Sequence, residues 1–233
     1  MIITDLITGK FVERPNRFLV LFEVDNKVFK AHLKDPGRLN ELLAPRVKLL
    51  LKRADNNTKR KTKFDVIGVL HQNKWVIINS SLHSDLAANL IESNFLKELT
   101  GYTIEKREYS YGKSRIDFLL RKEEEKMLLE VKGCTLVDDG LALFPDAPTI
   151  RGKKHVVELT KALEESFKST VLFLIMRDDA EILKPNYKMD TEFSKSLKSA
   201  SEKGVKILAY SFKNTLNNNS LKIKAFKPIK IRF

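Results

Sequence analysis

Residues 115–132 read R-I-D-F-L-L-R-K-E-E-E-K-M-L-L-E-V-K, and their pattern decides the fold. Two apolar runs flank six charged residues, which predicts two strands and a hairpin loop. A loop centred between Glu123 and Glu124 sets Asp117 opposite Glu130 and Arg115 opposite Lys132. Because side chains alternate along a strand, Glu130 and Lys132 share one face, while Leu129 and Val131 take the other. Two carboxylates directly across a ladder repel one another, so their placement in an otherwise apolar hairpin points to a divalent cation between them. The plainer alternative is a solvated lattice of diagonal ion pairs, Asp117 with Lys132 and Glu130 with Arg115, which are common on sheet surfaces.

Outward from the hairpin, the C-terminal side alternates strand and helix. A helix is expected from about Ser84, as N-cap, to Leu99, with Gly101 as its stop. After an irregular stretch over residues 133–149, a second helix should begin near Thr149 or Ile150 and run to about Phe167. A buried strand (171–176), a helix (191–203) ending at Gly204 and a strand (205–210) follow. The tail L-K-I-K-A-F-K, after Asn217-Asn218-Asn219, reads as a basic edge strand that could pair with a second copy in a homodimer.

The N-terminal side instead shows short β-like runs at 18–24, 27–32, 47–51, 64–70 and 75–78, with turn signals at Asp25-Asn26, Asp35-Pro36-Gly37 and Asp55-Asn56-Asn57. One short helical piece (38–43) interrupts them. Five or so short strands in eighty residues suit a small OB-like β-barrel. The expected organisation is therefore an OB-like domain over 1–80 and an α/β domain over 81–233, α+β overall.

The 233 residues carry 43 Lys and Arg against 30 Asp and Glu, a formal charge of +13. Such a charge favours polyanionic partners, nucleic acid first. The longest wholly apolar run, 171–176, is too short to span a bilayer, and no signal peptide is legible, so no membrane partner is expected. The single Cys134 rules out an intrachain disulfide and fits a reducing compartment, which predicts a cytoplasmic protein.

Helix, strand with Asp, turn, then strand with E-x-K resembles the core of the PD-(D/E)xK nucleases, with Ile116 where the motif has its Pro. On that resemblance Asp117 and Glu130, with the carbonyl of Val131, would hold Mg²⁺ (or Mn²⁺), and Glu92 on the preceding helix is a candidate third acid. Oxygen donors suit such a hard cation. The metal would activate water and neutralise the scissile phosphate, and Lys132 would steady the developing charge. Arg151, His155 and Glu158 stand at i, i+4 and i+7, one polar face that could line a phosphate cleft. An exposed face with local pairs such as Lys154–Glu158 is the alternative. None of the four His has zinc-ligand spacing with another or with Cys134.

Longer blocks carry a more specific likeness. D-P-G-R-L-x-E-L-L (35–43), S-R-I-D-F-L-L (114–120), E-V-K-x-x-T-L (130–136) and F-P-D-A-x-T-x-R-G-x-K-H (144–155), together with R-P-N-R-F (14–18), R-K-T (60–62) and V-K-I-L-A-Y (205–210), resemble the sugar fermentation stimulation protein A family over nearly the whole chain. The chain departs from the family pattern at Ala44-Pro45-Arg46. The resemblance implies an OB-like domain joined to a PD-(D/E)xK restriction-endonuclease-like domain, DNA binding, and a regulatory role in sugar use. It sets the nuclease acids on Asp117 and Glu130 and the lysine on Lys132.

Nucleic-acid contacts are expected at Arg17 and Arg38 in the family blocks, at Arg60 and Lys61 in a Lys-rich loop beside Phe64, and at Arg115, Arg151 and His155 near the acids. Arg38 follows a D-P-G turn that would begin a helix, where backbone N–H groups attract phosphate. Without a helix-turn-helix or zinc-finger signature, contacts to phosphates of single- or double-stranded DNA, or of RNA, should dominate and make affinity salt-dependent. Two functions stay open: a Mg-dependent phosphodiesterase, or a non-catalytic DNA-binding regulator on a nuclease scaffold.

Overall fold

The computed structural model describes residues 1–54 and 61–233. Its elements are β1 (Ile2–Ile3), β2 (Leu6–Asn16), β3 (Leu19–Val24), β4 (Lys27–His32), β5 (Lys48–Arg53), β6 (Phe64–His71), β7 (Lys74–Ile77), α1 (His83–Glu92), β8 (Thr103–Tyr111), β9 (Ser114–Lys122), β10 (Glu125–Cys134), β11 (Val137–Asp138), β12 (Leu141–Phe144), α2 (Ile150–Ala162), β13 (Lys168–Ile175), β14 (Ile182–Pro185), α3 (Thr191–Glu202), β15 (Lys206–Asn217), β16 (Ser220–Pro228) and β17 (Lys230–Ile231), with short 3₁₀ turns at Ser80–Leu82, Lys97–Leu99 and Leu163–Glu165. The chain forms two compact units. The first comprises Met1–Ser81, Met176–Asp179 and Phe212–Phe226; the second comprises Leu82–Ile175, Ala180–Ser211 and Lys227–Phe233. The first unit thus includes two segments from beyond residue 80. Ile2 and Ile3 pair with Lys222 and Leu221, which gathers 212–226 with the first unit.

In the first unit, strands run in the order β4-β3-β2-β5-β6-β7, and a parallel β4–β6 pairing (Ala31↔Phe64, His32↔Asp65) closes a five-strand barrel of OB type. Asp25 and Asn26, both at positive φ, make the tight β3–β4 turn, a conformation these residues tolerate better than most. Val20, Phe22, Leu33, Leu49, Leu51, Val66 and Val76 fill the barrel, each fully buried.

The longest barrel strand, β2, is the one the sequence pattern does not announce. It buries Leu6, Gly9 and Phe11 but leaves Ile7 and Val12 exposed, so apolar residues do not alternate. Gly9 is required where β2 crosses Phe22: a Cβ there would lie 2.6 Å from the ring.

Residues 38–43 do not form the expected helix. Leu39 is left-handed (φ 52°), and Leu42 and Leu43 donate back to its carbonyl in a single turn. The Arg14 guanidinium donates to the carbonyls of Arg38 (2.6 Å), Arg17 (2.8 Å) and Asp35 (3.1 Å), fastening the loop in this shape. Arg38 therefore has no helix N-terminus beside it.

The second unit carries β15-β13-β10-β9-β8, in which β10, β13 and β15 are parallel and β8, β9 and β10 antiparallel. A second, small sheet, β11-β12-β14-β17, packs on the same core, with Phe144 5.1 Å from Phe173 between ring centroids. Val156, Leu159 and Ala162 of α2 and Phe193, Leu197 and Ala200 of α3 share one apolar core with Leu128, Val171, Phe173 and Ile175. Asp190 ties the helices at their starts. Its Oδ1 caps α3 by accepting from Phe193 N (2.9 Å), and its Oδ2 accepts from Thr149 N (2.8 Å). Thr149 in turn caps α2 through Gly152 N (3.0 Å), an interaction of about 1 kcal/mol. Position and direction of the α2 N-terminus are set by this double cap.

Three further expectations change. The helix after residue 82 ends at Glu92, because Asn94 is left-handed (φ 53°), and no side chain caps its start, so Ser84 is not an N-cap. Strand β8 precedes the hairpin at the sheet edge, where Glu105, Lys106, Arg107 and Glu108 are exposed or nearly so; its polar surface hides it from a hydrophobic pattern. The tail strand β16 is no free edge along its whole length, since β1 covers Leu221 and Lys222 opposite β15.

Candidate active site

The hairpin keeps the register read from the sequence, from Glu125↔Lys122 to Leu129↔Phe118. Its loop shrinks to two residues, with Glu123 at φ 53°, because most of the charged connector is itself strand. One step beyond the paired run, the Asp117 side chain takes over from the backbone: its Oδ2 accepts the Val131 N–H at 2.7 Å.

Glu130 is 2% exposed, at the centre of a parallel and antiparallel junction. Its Oε1 accepts from Lys132 Nζ (2.5 Å) and meets Nδ1 of His155, which α2 carries. His155 Nε2 lies 3.4 Å from the Arg151 Nε–H. With Arg151 donating to Nε2, the proton of a neutral His155 sits on Nδ1 and is donated to Glu130. The other oxygen, Oε2, is buried and has no hydrogen-bond partner. Such an atom is costly unless something positive faces it.

The two acids are driven apart in proton affinity. Burial, then the Glu130 carboxylate, push Asp117 up to about 6, against the Val131 N–H and Lys132. Burial also pushes Glu130 upward, but Lys132 and His155 together outweigh it and hold Glu130 below its ordinary value. Glu130 is therefore the standing carboxylate and Asp117 the one that keeps a proton longer.

The solvated lattice does not form. Arg115 pairs with Glu108 (3.5 Å) and Lys132 with Glu130, neither of them the diagonal partner, and Glu130 is not at the surface. Nor does α2 show the local Lys154–Glu158 pair: Lys154 Nζ donates to the Lys113 carbonyl, and the Glu158 carboxylate lies against the Gly112 turn.

Glu92 is exposed at the end of α1, and among the described residues no three or more His, Cys, Asp or Glu side chains converge to hold a metal. The donors on hand for a cation would be two carboxylates, Asp117 and Glu130, and the Val131 carbonyl. This suits Mg²⁺, which keeps several waters and takes one or two carboxylates. The orphaned Glu130 Oε2 supports the same fit.

Sequence reasoning misses three residues here. His83, the first residue of α1, packs against Gly133, where a Cβ would overlap its ring; burial pushes the imidazole down to about 4, so it is neutral. Lys113, in the two-residue turn between β8 and β9, and Ser114, which opens β9, line a cavity of about 760 Å³ with Arg115, Arg151 and His155. The Y-G-K-S turn signal ahead of R-I-D is the one hint of it.

In the first unit, Arg17 and Arg38 are exposed and brought together by their carbonyls on Arg14. Lys61 is exposed, and Arg60 lies outside the described residues. Exposed Phe18 and Phe29 add an aromatic surface beside and on strands β3 and β4 that the sequence pattern does not single out, while Trp75 is half-buried.

Two family models match the chain: the sugar fermentation stimulation protein RE domain over residues 81–218, and the SfsA N-terminal OB domain over residues 12–78. A sugar fermentation stimulation protein homolog of Methanothermobacter thermautotrophicus is 52% identical over 221 residues, covering 95% of this chain and 92% of that protein. A homolog of Methanosphaera stadtmanae is 46% identical over 237 residues, covering 100% and 98%. Among solved structures, Pyrococcus furiosus SfsA in complex with Ca²⁺ superposes with a TM-score of 0.91 at 27% identity, covering 100% of this chain and 98% of that one.

Proposed function

Because the chain belongs to the sugar fermentation stimulation protein family, with its OB and restriction-endonuclease-like domains, we propose that it binds DNA and cleaves phosphodiester bonds with a divalent cation held by Asp117 and Glu130. The observation that carries this reading is the buried, unpartnered Oε2 of Glu130 beside a second carboxyl whose proton affinity is raised. A structural relative determined with Ca²⁺ is consistent with a divalent site on this scaffold. Mg²⁺ or Mn²⁺ would be the working ion, held by Asp117, Glu130 and the Val131 carbonyl.

Such an ion supplies Lewis-acid polarisation of a phosphoryl oxygen and a lowered pKa for water. The chain's own groups do the rest. His155 and Lys132 hold Glu130 ionised and oriented, as outer partners of a metal ligand do. Lys132 is half-buried with its ammonium on Glu130 Oε1, beside the proposed ion, where it would stabilise charge developing on phosphorus. Arg151 fixes the His155 tautomer and, with Arg115, offers cations to the strand's phosphates. The formal charge of +13 supports polyanion binding.

The test is incubation of purified protein with labelled single- and double-stranded DNA and RNA in Mg²⁺ or Mn²⁺, beside Glu130→Ala. Metal-dependent cleavage that drops about a hundredfold or more in the variant is expected. Cleavage that persists in Glu130→Ala, or none with any metal, removes the enzyme and leaves a DNA-binding regulator on a nuclease scaffold.

A further inference from the structure

The cavity beside His155 is built for an anion more highly charged than one phosphodiester. Lys113, Arg115, Arg151 and Lys154 stand around it against the single acid Glu108, which already pairs with Arg115. No acid occupies the first turn of α2, where acids normally favour the helix dipole, and cations stand there instead. An independent mark is Ser114: the residue is 9% exposed, it lines the cavity, and its Oγ is buried with no hydrogen-bond partner. A hydroxyl so placed lacks a ligand it could donate to. At about 760 Å³ the cavity lies within the ~300–1,000 Å³ range of small-molecule sites, room for a nucleotide rather than a bare ion. Ile150 lines it too and is 88% exposed, an apolar side chain suited to lie against a base.

We propose that this cavity binds the phosphomonoester of a terminal nucleotide, so that a phosphorylated strand end is the preferred form of nucleic acid. A phosphomonoester carries a charge of about −1.5 to −2 at neutral pH, against one for a diester, and has three acceptor oxygens for Ser114, Arg151 and Lys154. His155 lines the cavity with the same ring that touches Glu130, so an end seated here brings its neighbouring diester toward the paired acids. This deepens the nuclease reading but does not need metal to be tested.

Fluorescence anisotropy in EDTA compares oligonucleotides of one sequence with 5′-phosphate, 5′-hydroxyl, 3′-phosphate or 3′-hydroxyl ends, with AMP and inorganic phosphate as competitors. One phosphorylated end should bind about tenfold tighter or more than its hydroxyl counterpart. Ser114→Ala and Lys154→Gln, checked for folding by circular dichroism, should erase that difference and leave hydroxyl-ended binding within about twofold. Competition by AMP as strong as by the phosphorylated oligonucleotide supports the same site with a free nucleotide as its occupant. Equal affinity for all ends, or a preference that survives both variants, overturns the proposal. Glu130→Ala should keep the preference, so loss of cleavage and loss of end recognition are separable failures.

Discussion

Replacing Asp117 by Asn should make the metal-free protein more stable at neutral pH and leave it unchanged in acid. The Asn carbonyl oxygen can still accept the Val131 N–H, so the hairpin contact survives. What disappears is a charge that burial and Glu130 disfavour. The folded carboxyl titrates at about 6 against an ordinary 3.8. Between those values the folded state binds more protons than the unfolded one, so unfolding free energy falls as pH rises through the window. Below it Asp117 is neutral in both states and nothing is lost. Above it the full difference, about two pH units or roughly 3 kcal/mol, is missing from the wild-type protein. For a chain of this size each kcal/mol moves Tm by about 2–4 °C, so the variant should melt on the order of 6–12 °C higher at pH 8 and together with wild type near pH 3.5. The assay is thermal and urea denaturation of both proteins in EDTA across pH 3.5–8. A variant that is equally shifted at both ends, or destabilised at pH 8, would refute the account of a strained, buried pair. Adding Mn²⁺ should then raise the wild-type Tm and not the variant's.

Other substitutions test the surrounding supports. His155→Ala removes the group that orients Glu130 and should weaken Mn²⁺ affinity about 10–100-fold by titration calorimetry, without unfolding the protein. Gly133→Ala drives a methyl into the His83 ring and should cost about 1–3 kcal/mol in a denaturation midpoint, most of it regained in the double variant with His83→Ala. Charge reversal at Arg60 and Lys61 should lower DNA affinity and flatten the slope of log K against log salt by about one for each phosphate no longer neutralised, whereas an unchanged slope places these two residues outside the footprint.

The parts of this fold legible in the sequence are those where local pattern and tertiary burial agree. The hairpin register follows from symmetric apolar runs around a charged centre, and the start of α2 from Thr149 ahead of a 3.6-residue period. What escapes depends on partners far along the chain. Strand β2 buries a glycine under Phe22, β8 faces solvent, and the turn at Leu39 is held by Arg14, so none of them carries a periodic signal. Within the site, both carboxylates can be picked out because like charges across a ladder are conspicuous. The roles of His155 toward Glu130, of His83 under Gly133 and of the buried Ser114 hydroxyl require knowing how α1 and α2 pack, which periodicity does not report.

The division of the chain between its units has a consequence for how it is made. The barrel-bearing unit needs Met176–Asp179 and Phe212–Phe226 as well as its first 81 residues, and the other unit reclaims Lys227–Phe233. During synthesis the barrel strands β2–β6 can pair early, whereas Ile2 and Ile3 of the same unit wait for Leu221 and Lys222 of β16. Cutting the gene near codon 80 would therefore release a fragment that keeps every barrel strand but leaves Ile2 and Ile3 without the strand they pair with.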